Sequence, residues 1–174
     1  QTSQMMKPEV VFVSETNSGQ QEMIKGAKNF IQNVADRGLN FLSDESLSFQ
    51  ERKRAFRQLL IESFDIKTIA RFSLGRYWRK ATPEQREEYL DLFKDMIISI
   101  YSNRFDEYSG QELVIEGARA QGEKDVIINT DIVSPNGPDV VVRWRIRYEN
   151  NQYQIVDVII EGVSMLVTQR SDFA

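Results

Sequence analysis

Along roughly the first hundred residues the apolar side chains return every three or four positions, and beyond Gly110 they return every two. The first spacing lines up one face of a helix and the second one face of a strand, so helices are expected ahead of a run of strands. From about Ser18 to Leu42, Met23, Ile24, Ala27, Phe30, Ile31, Val34 and Ala35 share a face, with Gly38 near a break. A second helix starts at Ser48, where Ser48 and Glu51 match a capping box, and continues through Phe56, Leu59, Leu60 and Phe64. Asp65 caps a short third helix that stops at Gly75 in the left-handed conformation. Its Ile66, Ile69, Ala70, Phe72 and Leu74 spread over more than one face, which implies contacts on several sides. Thr82, Pro83 and Gln85 open the fourth helix, Pro83 to about Asn103, with proline where its missing N–H does no harm. Tyr89, Phe93, Met96, Ile97, Ile100 and Tyr101 form its apolar stripe, widened by Leu90 and Ile98.

Strands are expected at 112–120, 125–133, 139–149 and 152–160, joined by Gly-Glu-Lys, Pro-Asn-Gly-Pro and Asn-Asn turns. Connections this short favour an antiparallel meander. In the third strand Val140, Val142, Trp144, Ile146 and Tyr148 point one way, and Arg143, Arg145 and Arg147 the other. Glu161-Gly162 then turns the chain into a final amphipathic segment, 163–173. Residues 1–17 hold a β-like run, Val10 to Val13, without a partner, and are read as a flexible arm before a single domain of residues 18–174. Helices first and strands second give an α+β fold: N-terminal helices on one face of a twisted antiparallel sheet of about four to five strands, with a C-terminal helix.

At 174 residues and 41% apolar content the chain has material for one core of ordinary size. Its net charge of −4, with both signs interspersed, gives no basic field of the kind that binds phosphate backbones, so nucleic acid is not an expected partner. Histidine and cysteine are absent, which removes imidazole triads, thiolate chemistry and the usual zinc ligands. No metal or cofactor is expected. The lack of cysteine suits an oxidising compartment. No run approaches the 18 apolar residues of a membrane span, so the expectation is a soluble chain, any signal peptide having been removed before residue 1.

Several residues are candidates for chemistry. Tyr77 and Trp78 lie in the connection between Gly75 and Thr82, where large rings pack over a core or a bound molecule. The stripe Arg143, Arg145, Arg147 either grips an anion or pairs across strands with Asp131 or Asp157, the commoner use of such a face. Asp157, inside the apolar run IVDVII, is either a general base or half of an ion pair with a partner such as Arg71, and Glu161 poses the same choice. Neither a Walker A pattern nor GxGxxG occurs. The large apolar and aromatic set serves a solid core or a cavity, and periodicity alone does not separate the two.

The order FDIKTIARFSLGRYWRKATPEQREEYLDLF, then IYSNRF, then YQIVDVIIEGVSMLVTQRSDF, resembles the MlaC family of periplasmic lipid carriers, also called toluene-tolerance proteins. The match runs from about Ala27 to Phe173. Its most diagnostic parts are Ala70-Arg71 with Leu74-Gly75 and Trp78-Arg79, then Thr82-Pro83-Glu84-Gln85-Arg86, then Asp157-Val158 with Glu161-Gly162-Val163-Ser164. The resemblance implies a periplasmic, monomeric protein without catalytic activity that holds phospholipid acyl chains in a hydrophobic cavity between helices and sheet. It implies traffic between an inner-membrane ABC transporter complex with an MCE-domain subunit and an outer-membrane lipoprotein associated with a porin. At about 0.8 kcal/mol per methylene, two chains with some 30 methylenes represent roughly 25 kcal/mol of exposure to water, which is why a carrier is needed. The expected cavity residues are Phe72, Tyr77, Trp78, Phe93, Ile97 and Tyr101 from the helices. The sheet and the final segment are expected to add Val142, Trp144, Ile146, Val158, Ile160, Met165 and Leu166. Two alternatives stand beside this: a hopanoid or other apolar lipid as cargo, and a small α+β cavity enzyme with Asp157 as base.

Overall fold

The change of period at Gly110 is a change of layer. A computed structural model of the chain describes residues 2–108, 110–165 and 170–171, the side chains of 2–17 and of Val163 excepted. Helices α1 (Thr2–Ser43), α2 (Phe49–Ser63), α3 (Ile66–Leu74), α4 (Tyr77–Lys80) and α5 (Pro83–Ser102) come first. Strands β1 (Glu112–Gln121), β2 (Asp125–Val133), β3 (Val140–Glu149), β4 (Gln152–Ile160) and β5 (Val163–Ser164) follow, each antiparallel to the next in one sheet of order β1-β2-β3-β4-β5.

The predicted caps form as read. Ser48 Oγ accepts from the Glu51 N–H at 3.1 Å while the Glu51 carboxylate accepts from the Ser48 N–H at 3.2 Å. Thr82 and Gln85 repeat the arrangement at 3.1 and 3.0 Å. Asp65 accepts the Thr68 amide at 3.1 Å and its hydroxyl at 2.7 Å. The Asn150-Asn151 turn has φ of 55° and 60°, the paired positive values that a two-residue hairpin turn requires.

Four expectations are corrected. α1 passes through Gly38 without a break. The backbone of residues 2–17 is helical, so Val10 to Val13 form no extended run. Gly75 has φ 61° but ψ −132°, a positive φ outside the left-handed helical basin. Tyr77 and Trp78 belong to the single helical turn α4 and not to an open connection. The final segment begins as β5, and most of the C-terminal helix expected after it lies outside the described residues.

The sealed core forms where α1 crosses the middle of the sheet. Ala27 and Ile31 press on Val126, Ile128, Ile146 and Ile155, none of them more than 1% exposed. Gly26 makes this approach possible: a Cβ there would collide with the Tyr153 hydroxyl, which instead donates to the Met23 carbonyl at 3.0 Å while its ring stacks on Phe30. On the other face of the sheet, Arg145 and Arg147 both bind Asp125, at 2.6 and 2.8 Å. The expected cross-strand acid is thus Asp125, for two of the three arginines, because the β2–β3 register sets Arg147 directly opposite it. Burial pushes the Asp125 pKa up, but hydrogen bonds from the two guanidiniums outweigh it and hold the carboxyl below the usual range.

Candidate functional site

Beyond the sealed core the two layers part. A pocket of about 470 Å³ opens between the C-terminal turns of α1, the helices α2, α3 and α5, and the far end of the sheet. Leu39 and Leu42 of α1, Phe56 and Leu60 of α2, and Ile66 and Ile69 of α3 form one side. Ile97 and Tyr101 of α5 meet Val142 and Trp144 of β3 and Val158 and Ile160 of β4 on the other. Phe105 closes one end through edge contacts with Phe41 and Phe56, at ring centroid distances of 6.3 and 5.6 Å. The few polar liners, Tyr108, Gln111, Glu112 and Asp157 among them, include no lysine or arginine among the described residues. Such a surface solvates hydrocarbon.

Two hydrogen bonds set the sheet wall. Thr130 Oγ1 donates to the Val142 carbonyl at 2.7 Å and accepts from Trp144 Nε1 at 3.0 Å, so the indole meets the pocket with its polar atom already satisfied. The helical wall is fixed by Tyr89, whose hydroxyl donates to the Ala70 carbonyl at 2.9 Å and so ties α5 to α3. Burial pushes the Tyr89 pKa up to about 12, and the phenol stays a donor throughout the ordinary pH range.

Of the residues expected at a cavity, Phe93, Ile97, Tyr101, Val142, Trp144, Val158, Ile160 and Met165 line this pocket. Phe72, Tyr77, Trp78 and Ile146 do not, and Leu166 lies outside the described residues. Ile146 belongs to the sealed core. Phe72 is lost to geometry: each three-residue step along a helix falls about 60° short of a full turn, so the line from Ile66 through Ile69 has rotated away before Phe72. Its ring instead lies under the Arg170 guanidinium at 4.8 Å. Trp78 is buried behind the helical wall, edge-on to Tyr89, with Arg86 5.1 Å above its ring and Arg86 Nε donating to its carbonyl at 2.9 Å. Tyr89 packs in turn on Phe93, so Trp78 supports a pocket residue at one remove. Tyr77 is 43% exposed. On α5, Ile98 is buried while Ile100 is not, so the stripe is centred nearer Ile98 than expected.

The C-terminal turns of α1, α2 and Phe105 contribute pocket residues that no cavity expectation included. Their helical period was visible, but which turn of a helix meets the gap depends on how far apart the layers stand.

Asp157 accepts the Ser164 hydroxyl at 2.6 Å and the Val158 amide at 2.8 Å. A hydroxyl beside the carboxylate was not anticipated. With no imidazole in the chain to take its proton, the pair lacks the base that activates serine in the triad pattern, and the contact joins β5 to β4. Glu161 has a comparable role: its carboxylate accepts the Val141 amide at 3.1 Å and its own N–H donates to the Val141 carbonyl at 3.0 Å. Among the described residues no acidic cluster is arranged to hold a metal ion, and no helix is long and apolar enough to cross a membrane.

Comparison with known proteins agrees with the residue-level picture. Over 97 residues the chain is 30% identical to the intermembrane phospholipid transport system binding protein MlaC of Haemophilus influenzae, covering 53% of this chain and 45% of that protein. Over 99 residues it is 27% identical to toluene tolerance protein ttg2D of Pseudomonas putida, covering 57% and 46%. The match thus spans just under half the length of either relative. The fold is shared with the phospholipid-binding protein of Ralstonia solanacearum, solved in complex with a phospholipid, at a TM-score of 0.74 and 24% identity over 83% of each chain. The model of the MlaC protein family matches residues 32–174, and the chain belongs to that family.

Proposed function

We propose that the protein is a periplasmic carrier that takes phospholipid acyl chains into the pocket between helices and sheet. It would pass them between an inner-membrane ABC transporter complex and an outer-membrane lipoprotein and porin complex, with no bond made or broken. The observation that carries this reading is the pocket itself, with apolar walls from both layers and no cation among its described liners. Its volume of about 470 Å³ falls in the range of small-molecule sites, roughly 300 to 1,000 Å³. Head groups would remain in solvent, since no cation among the described liners is placed to receive a phosphate.

The test is solvent extraction of the purified protein followed by mass spectrometry. Two-chain phospholipid at near-stoichiometric amounts is the expected result. Ile97→Asp, which sets a charge in the helical wall, should remove the lipid while circular dichroism still reports a folded protein. Absence of lipid from the parent protein, or full loading of Ile97→Asp, would refute the assignment.

A further inference from the structure

Between Asp65 and Glu84 the chain carries Lys67, Arg71, Arg76, Arg79 and Lys80 and no acidic residue, although the whole protein stands at −4. The positive-φ turn at Gly75 joins the two short helices that hold them, so the fold gathers these charges at one corner. All five are exposed, and none takes part in a salt bridge among the described residues. Some cations elsewhere are paired: Arg37, Arg57 and Lys124 with Glu62, Asp95 and Glu149, and Arg145 and Arg147 with Asp125; others, such as Lys25, Lys28 and Arg119, are exposed without a salt bridge among the described residues but lie outside this corner. Arg170 adds a further cation against Phe72 and Gly75. Amid them stands Tyr77, 43% exposed, with Arg76 Cζ and Lys80 Nζ 5.3 and 6.0 Å from its ring centroid.

Clustered like charges repel one another, and an exposed ring leaves apolar area in water. Both costs fall against a surface of dense negative charge with an apolar boundary just beneath it, where basic side chains meet phosphates and an amphipathic ring settles at head-group depth. α3 links this corner to the pocket, since Ile66 and Ile69 line the pocket while Lys67 and Arg71 on the same helix are exposed. We infer that this corner is the face by which the protein lies against an anionic phospholipid surface while the pocket exchanges its cargo, an inference that rests on the carrier reading.

Co-sedimentation tests it, using vesicles of phosphatidylcholine mixed one to one with phosphatidylglycerol and vesicles of phosphatidylcholine alone. The protein should bind the mixed vesicles and not the neutral ones, more weakly as salt is raised. The triple variant Arg76→Gln, Arg79→Gln, Lys80→Gln should bind about a hundredfold more weakly, at about fivefold per cation near the surface. A control triple of exposed cations elsewhere, Lys25→Gln, Lys28→Gln, Arg119→Gln, changes net charge equally and should stay within about fivefold of the parent. Tyr77→Ser should weaken binding further when added to the first triple. Equal loss in both triples, or no binding of the parent protein to the mixed vesicles, would overturn the inference. Binding of polyglutamate in place of vesicles, lost in the first triple alone, would also overturn it, by assigning the corner to an acidic protein segment. Lipid extraction reads the pocket separately: the carrier reading fails on that measurement, and the membrane face fails on the vesicles.

Discussion

Trp144 and Ile146 stand two residues apart on one face of β3, yet Ile146 is sealed at 0% exposure while Trp144 borders an open pocket. The same division runs through the neighbours. Val126 and Ile128 at the start of β2 and Ile155 at the start of β4 are sealed, while Ile132, Val158 and Ile160 toward the ends of those strands line the pocket. α1 also divides, with Ala27 and Ile31 in the core and Leu39 and Leu42 in the pocket wall. Residue type does not distinguish the two regions. Glycine and alanine bring α1 onto the sheet at one end, and at the other large rings, Phe41, Phe49 and Phe56, gather around Phe105.

Ile146→Ala should break this contrast most severely. The side chain is fully enclosed, so the cost combines lost transfer energy with an unfilled cavity, about 2 to 5 kcal/mol. Urea denaturation of the delipidated protein should show a lower midpoint at nearly unchanged slope. Gly26→Ala attacks the same region from the helix side. Its Cβ collides with the Tyr153 hydroxyl, so the ring must shift off Phe30 and give up its bond to Met23, at about 1 to 3 kcal/mol. Adding Tyr153→Phe should recover only a small part of that loss, because Cζ and Cε2 of the ring still lie 2.7 and 2.9 Å from the new Cβ.

The opposite face of the sheet is held by charge, and its contribution should vanish with acid. The folded Asp125 pKa is depressed, so its stabilisation is fully present above the unfolded value near 3.9 and is lost as pH falls through the folded one. Asp125→Asn should cost about 1.5 to 3 kcal/mol at neutral pH, the range for hydrogen bonds to a charged group. The two proteins should converge in thermal scans once the pH is below the folded Asp125 value, which itself lies under the unfolded one. A gap of constant size down to that pH would show that packing, not ionisation, sets the Asp125 contribution.

Much of this fold was legible because local rules and tertiary structure agree. Ser48, Asp65, Thr82 and the Asn150-Asn151 turn each act within a few residues of themselves, and the alternation in β3 assigns its two faces correctly. The pocket was half legible for a physical reason. A residue's face follows from its period, but whether the facing layer touches it depends on distant spacers such as Gly26 and Phe105. Ile146 therefore reads like its stripe-mates, and Phe56, on the apolar run of the second helix, and Leu39 carry no local mark of a cavity. Trp78 is buried as its size implies, and the groups against its ring are Arg86 and Tyr89, a contact eight and eleven residues away that its own local pattern does not specify.

The smallest stability effect sharpens the comparison most. Ile97→Ala removes atoms that already face open space, so few packing contacts disappear and the pocket merely grows. The delipidated variant should lose less than about 1 kcal/mol, at or below the low end of the large-to-small range. Its bound lipid should change more than its stability, because the same atoms are contacts for an acyl chain when the pocket is filled. Ile146→Ala should show the reverse, a large loss of stability with lipid content per folded molecule nearly unchanged. Measuring both quantities on both variants separates core from pocket: if they fall in the same proportion, the sealed and open regions are one continuous core, and the division at β3 is not functional.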